Sequence, residues 1–440
     1  RLPAMDALAN PVLISVLVLC LLALANVHVI LALLVAALTA GLLAGLTPLE
    51  TVDLLLSGLG DQGETALAYI LLGILAVMVS RSGVTEKFVD VLLPWISGRR
   101  GATVFLLGGL ACLSQNVVPV HIAFIPLLVP PLLTAFNRLR LDRRAVAAAL
   151  TFGLKAPYLL VPLGFGLVFQ GIVAQAMKDN GMELDSRLMP AAMAIPVACM
   201  FVGLLIAVFV TYRRPRDYAE VSTVFTERSA GADAPWNWRH TVVVVALAVS
   251  LVLQILTESL IIAALGGVLL MFLLRVEAWR DGERIVPEGV SMMGTIAFVM
   301  LLAAGYAKVL TETHSVDALV AHMGNWVGGS QFAAAVVMMA VGLVVTLGIG
   351  TSFGTVPVIA AIFVPLAASL GFSPLATAAM IGTAGALGDA GSPASDSTLG
   401  PTSGLNADGQ HHHIWDTCVP TFLHYNIPLF IGGVTAGLLL

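Results

Sequence analysis

The sequence predicts an all-α polytopic membrane protein built from two inverted-topology repeats with broken or re-entrant helices and about 10–12 transmembrane segments. Three observations carry that expectation. Of 440 residues, 58% are hydrophobic and 11% charged, against about 45–50% and about 25% in soluble domains. Several long runs are almost free of charge. The order of elements in residues 1–211 also recurs in residues 241–440, on either side of a polar linker at 212–240.

The apolar runs at 11–46, 188–210, 241–254, 261–274 and 290–307 hold few or no charges. A helix needs about 20 apolar residues to cross the hydrocarbon layer, so the first run has length for two passes. The period-2 alternation of a membrane barrel is missing, which leaves helices. That first run lacks a basic leader and is too long for a secretion signal, so it reads as structure. Cys20, Cys112, Cys199 and Cys418 are scattered, without ligand spacing, and read as apolar filler. A net charge of −5 argues against a nucleic-acid partner.

The repeat is carried by position more than by identity. Ser114-Gln115-Asn116 precedes a Val-Pro-Val at 118–120, and Ser352-Phe353-Gly354-Thr355 precedes another at 356–358. Each is followed by an apolar run with a proline, Pro126 or Pro365, and each half closes on one clean helix near 189–211 or 419–438. With the N-terminus outside, 16 basic residues fall in inner loops and 4 in outer ones, Lys155 alone staying within the membrane. The positive-inside rule therefore supports an odd number of crossings per half, which inverts one half relative to the other.

Polar residues at membrane depth need a reason, because desolvating them is expensive. The richest stretch is 385–403, where Asp389 and Asp396 stand seven residues apart among Ser392, Ser397 and Thr398. It holds too much Gly, Pro and Ser to continue the apolar helix before it. Two carboxylates, hydroxyls and freed carbonyls supply the hard oxygen ligands that a small cation or a proton requires. Asp389 and Asp396 are thus candidate Na+ ligands.

The breaks at Ser114, Gln115 and Asn116 and at Thr351, Ser352 and Thr355 offer orphan N–H and C=O groups to a solute or ion. His121 follows the first break and could titrate near neutral pH. Lys155 occupies in the first half roughly the place of Asp389 in the second, where its ammonium could stand in for a cation or pair with Asp389 or Asp396. His424 and Asn426, with Tyr425 between them, form a candidate polar strip facing the site. The run His411-His412-His413 with Asp416 suggests metal weakly, because consecutive histidines cannot all point at one centre.

The motif Gly388-Asp389-x-x-Ser392-Pro393-x-Ser395-Asp396-Ser397-Thr398 resembles the signature of NhaC-type sodium/proton antiporters, within the wider ion-transporter superfamily. The stretch from Gly400 to Phe422 is similar to the YuiF-type branch, which is linked to amino-acid and notably histidine transport. The resemblance implies an inverted-repeat fold, a homodimer, an elevator-like movement and a site lined by Asp389, Ser392, Asp396 and Thr398. Family members often carry a basic or bulky residue shortly after the first aspartate. Here Ala390-Gly391 is small and leaves room for an organic substrate.

The resulting expectation is a cation-coupled secondary carrier in a bacterial inner membrane. It would need no cofactor, with Na+ or H+ as coupling ion, and its partners would be a small-molecule or ion substrate and the lipid bilayer. A simple sodium/proton exchanger and an intramembrane enzyme using the paired aspartates are the alternatives. The enzyme finds no nucleophile–base spacing to support it, and the chain has no nucleotide-binding loop.

Overall fold

The structure, a computed structural model, describes residues 10–84, 87, 94, 100–116, 124–163, 165–219, 236–257, 259–319, 327 and 329–440. Among these the regular structure is helical throughout. In the first half lie α1 (Pro11–Leu24), α2 (Val29–Leu43), α3 (Pro48–Leu59), α4 (Gly63–Ser82), α5 (Arg100–Asn116), α6 (Phe124–Arg138), α7 (Arg143–Leu160), α8 (Phe165–Asp179) and α9 (Met189–Ile206). The second half holds α10 (Trp238–Thr257), α11 (Leu260–Leu273), α12 (Gly282–Glu312), α13 (Gln331–Ile349), α14 (Ser352–Ser369), α15 (Pro374–Ala386) and α16 (Asp396–Leu405). Last comes α17 (His413–Leu439), which includes two π-helical stretches.

Local chemistry sets many of these boundaries. Thr47 and Glu50 close a capping box at the head of α3, where Pro48 takes the first turn. Asn10 before Pro11 and Ser373 before Pro374 cap α1 and α15 by accepting the Val12 and Ala376 N–H groups. The α7–α8 pair turns by 51° at its break. A 46° bend divides α14 between Ala361 and Phe363, four residues before Pro365, whose ring clashes with the carbonyl of residue 361.

Among the described residues six helices are long and apolar enough to cross a membrane, or eight if each bent pair is one span. Four further apolar helices, α1, α2, α11 and part of α5, are shorter. At 1.5 Å per residue, a 14-residue helix reaches only about 21 Å of the roughly 30 Å of hydrocarbon.

The packing cuts across the two sequence halves. In one group α12 lies along α4, α3 and α2, while α11 joins α4 to α10. In the other, α7 packs on α5, α9 and α16, and α17 packs on α9, α13 and α15. Each group thus takes the early segments of both halves or the late segments of both. Backbones approach closely where residues are small: a Cβ added at Gly73 of α4 would lie 2.5 Å from the Gly289 carbonyl oxygen of α12.

The linker begins as a strap. Arg143 is fully buried and bonds both oxygens of Asp408 (2.7 and 2.6 Å), the Leu405 carbonyl (3.0 Å) and Asn137 Oδ1 (2.9 Å). Its guanidinium stacks over Tyr218, 4.2 Å from the ring centre. Arg216 donates to Asp416 at 2.8 Å, and Ala219 exchanges two hydrogen bonds with Gln410. Residues 220–235 of the expected linker lie outside the described residues, and α10 starts at Trp238.

His411 sits inside this cluster, its Nε2 paired with Thr417 Oγ1 at 2.7 Å. Burial pushes its imidazole down from 6.5 to about 3, although Asp416 pulls the other way. The native state then refuses a proton that the unfolded chain accepts, so stability falls as pH drops from about 6.5 towards 3. The melting temperature of the purified protein should fall across that window, and His411→Gln should flatten the slope.

Candidate ion-binding site

The site is built by a helix that stops inside the protein. After α15 ends at Ala386, residues 387–395 unwind, and all nine are buried. Gly388 and Gly391 take φ angles of +82° and +111°, which a side chain would strain. A Cβ at Gly391 would also lie 2.6 Å from the Phe422 Cα. Ser395 then caps α16, accepting the Ser397 N–H at 3.1 Å.

Buried, unwound backbone must find partners. Asn426 clamps the break from both sides, accepting from the Gly388 N–H (2.8 Å) and donating to the Ala390 carbonyl (2.7 Å). Thr398 donates to the Ser392 carbonyl at 2.5 Å, Ser397 to the Asp389 carbonyl at 3.3 Å, and His413 Nε2 to the Pro393 carbonyl at 2.9 Å. The Ser392 hydroxyl accepts from the Ala394 N–H at 3.2 Å. Several of the hydroxyls expected as ligands therefore also fold the turn.

Asp389, 2% exposed, is the centre of the arrangement. Its Oδ2 receives the Lys155 ammonium, brought by α7, and the Ser352 hydroxyl at 2.5 Å. Ser395 donates to Oδ1. Because Ser352 spends its proton on Asp389, Tyr158 donates to Ser352 across 2.9 Å. Lys155 also lies 3.8 Å from Asp396 Oδ1. Tyr69 of α4, 1% exposed, reaches Asp396 from the other packing group.

The electrostatics are unequal in a useful way. One ammonium faces two carboxylates, so the cluster carries one negative charge in excess. Asp389 is sealed, whereas the Asp396 side chain is 24% exposed. A cation or proton can therefore approach through Asp396 and neutralise the excess. Such a buried charge pair stands at membrane depth only because each partner satisfies the other.

The structure brings together Lys155, Ser352, Asp389 and Asp396, with Ser397 and Thr398 beneath them. Thr351 caps α14 through the Phe353 and Gly354 N–H groups, and Thr355 donates back to the Thr351 carbonyl at 2.9 Å. Asn426 holds the break rather than the carboxylates. His424, expected to face the site, bonds Thr211 at 2.9 Å and the Pro420 carbonyl at 2.7 Å instead. The side chains of Ser114, Gln115 and Asn116, and the whole of His121, lie outside the described residues. Among the described residues no three His, Cys, Asp or Glu side chains gather as a metal site. The histidine run serves the fold: His412 caps α17, and His413 pairs with Thr402 at 2.8 Å.

Three participants escaped the sequence reading. Ser395 stood within the motif, but its type and place mark it equally as a helix cap. Tyr158 lies one turn from Lys155, a spacing that puts both on one helix face. Tyr69 is separated from Asp396 by most of the chain, and no local pattern points to it.

Residues 149–438 match the model of the Na+/H+ antiporter family, and residues 10–96 match a second one, described as the Na+-H+ antiporter family. An uncharacterized membrane protein of Vibrio parahaemolyticus is 47% identical over 98% of this chain and 100% of its own length. A Bacillus subtilis protein provisionally named the amino acid transporter YuiF is 47% identical, over 89% of this chain and 91% of its own. The crystal structure of the Alcanivorax borkumensis YdaH transporter is similar at 18% identity, covering 88% of each chain with a TM-score of 0.44. By the extent of the first match and the two close relatives, the chain belongs to the Na+/H+ antiporter family, as a multi-pass membrane transporter and not an enzyme.

Proposed function

We propose that the chain is a secondary carrier of a bacterial inner membrane that couples Na+ or H+ movement to transport of a small solute, an amino acid such as histidine. The observation that carries this reading is the buried Lys155–Asp389 pair at the break between α15 and α16, with Asp396 half-open beside it. The coupling ion enters at Asp396 and competes with the ammonium for Asp389. An unpaired carboxylate costs several kcal/mol to desolvate, so the site crosses the barrier when neutral and stalls when charged. No cofactor is needed for this cycle.

The two packing groups support alternating access of the elevator kind, in which one group slides against the other. The site sits where they meet, since Tyr69 reaches Asp396 from the opposite group. An inverted repeat fits that scheme, and a homodimer would anchor the group that stays still. The amino-acid substrate is carried over from the name of the Bacillus relative.

Uptake of radiolabelled histidine into proteoliposomes, with Na+ and H+ gradients imposed separately, tests the reading. Gradient-driven uptake that disappears in Asp389→Asn is expected. Proton efflux on adding Na+, without histidine uptake in either gradient, would reduce the protein to a plain exchanger.

A further inference from the structure

Beside the Asp389 centre lies a cavity of about 400 Å³ that the ion chemistry does not use. One wall is the face of α16 that carries Leu399, Thr402 and Ser403, continued by Asn406 just past its end. Leu399 stands one turn beyond Asp396, so the cavity begins about 5 Å along the helix from the half-open carboxylate. Met292 and Ile296 of α12 supply an apolar wall from the other packing group. His28, at the head of α2, and His412, at the head of α17, also line it and are exposed.

The two histidines are held in one tautomer. His28 Nδ1 accepts the Ile30 N–H at 3.3 Å, and His412 Nδ1 accepts those of Ile414 and Trp415 at 3.2 and 3.3 Å. With Nδ1 used as an acceptor, the neutral ring carries its proton on Nε2. Neither Nε2 has a bonded partner among the described residues. None of the residues lining the cavity is acidic, so no carboxylate of the wall competes for these donors. Two N–H donors and a non-acidic lining suit a group with paired acceptor oxygens. The apolar remainder suits a short aliphatic chain, and the volume falls within the roughly 300–1,000 Å³ of small-molecule sites.

We propose that this cavity binds a small aliphatic carboxylate, its head group on the Nε2–H donors of His28 and His412 and its chain along Met292, Ile296 and Leu399. It is where the transported solute waits on the side that the basic residues mark as cytoplasmic. The Arg216–Asp416 pair lies on that side, and Trp415 ties it to Asn26 at the cavity's edge through a 2.9 Å bond. The role as transport substrate rests on the carrier reading above, whereas binding does not. Pressure of a ligand on α16 is transmitted to Asp396, which opens the same helix, and this would link solute to ion.

Calorimetry on the purified full chain in detergent can decide it with three probes of one carbon skeleton: L-leucine, 4-methylvalerate and isoamylamine. The two acids should bind and the amine should not. His28→Asn and His412→Asn keep a capping side chain but remove the imidazole donor. Each should weaken 4-methylvalerate binding at least tenfold with the melting temperature unchanged. Absence of heat with both acids, equal binding of the amine, or wild-type affinity in both histidine variants would each overturn the proposal. Gradient-driven uptake with unaltered affinity in those variants sinks the cavity and spares the carrier. Histidine-dependent binding in a protein without gradient-driven uptake does the reverse.

Discussion

Lys155→Met is expected to lower the initial rate of gradient-driven transport at least a hundredfold while the protein stays folded. In the native site one ammonium answers a sealed carboxylate and stands 3.8 Å from a second. Methionine keeps the length and apolar bulk of the side chain but removes the charge that competes with the coupling ion. Asp389, 2% exposed, then faces a desolvation cost of several kcal/mol if ionised without a partner. The variant loses the ammonium that displaces the ion from Asp389, and a site that cannot unload cannot couple. Adding Asp389→Asn to Lys155→Met should recover stability lost in the single variant, with a coupling of about 0.5–3 kcal/mol in a double-mutant cycle. Ion-dependent transport retained in Lys155→Met would remove the lysine from the mechanism.

The second large effect is on stability and lies away from the ion. Arg143→Met should destabilise the protein by about 3–5 kcal/mol, because it strands a buried charge. Burial by itself would raise the Asp408 carboxyl, yet the hydrogen bonds and charge of Arg143 hold it below its ordinary value. Asp408 keeps only 4% of its side chain exposed, so its charge has little water to turn to. Arg143→Lys should rescue poorly, since a point charge cannot serve both carboxylate oxygens, Asn137 and the Leu405 carbonyl together. Arg143→Met with Asp408→Leu should recover most of the loss. Thermal unfolding in detergent measures all three, and a melting temperature for Arg143→Met equal to that of the native protein would contradict the assignment.

The parts legible in the sequence are those where lipid leaves few choices. Charge-free runs had to be helices, and a Gly- and Ser-rich segment beside one had to unwind. A lysine and two aspartates within such sequence had few ways to be satisfied except by one another, so their meeting could be anticipated. What was not legible depended on tertiary neighbours. His424 looked like a polar residue turned towards the ion, but its partner is Thr211 at the end of another helix. Asn426 carries the same residue type as a ligand and instead braces the backbone at Gly388 and Ala390. The interleaving of the halves left no local mark, since each contact joins residues hundreds of positions apart.

That interleaving also imposes a timetable on synthesis. Lys155 enters the membrane 234 residues ahead of Asp389, and at about 5–20 residues per second its counter-charge follows about 12–47 s later. A lysine at the centre of an inserting helix costs about 2.5–3.5 kcal/mol, and during that interval nothing downstream can offset it. The helix bearing Lys155 must wait beside the insertion machinery, or shallow in the bilayer, until the second half arrives. Ribosome stalling between residues 160 and 389 should therefore leave a nascent chain prone to proteolysis, and the last third of the chain acts as the fastener for a segment made long before it.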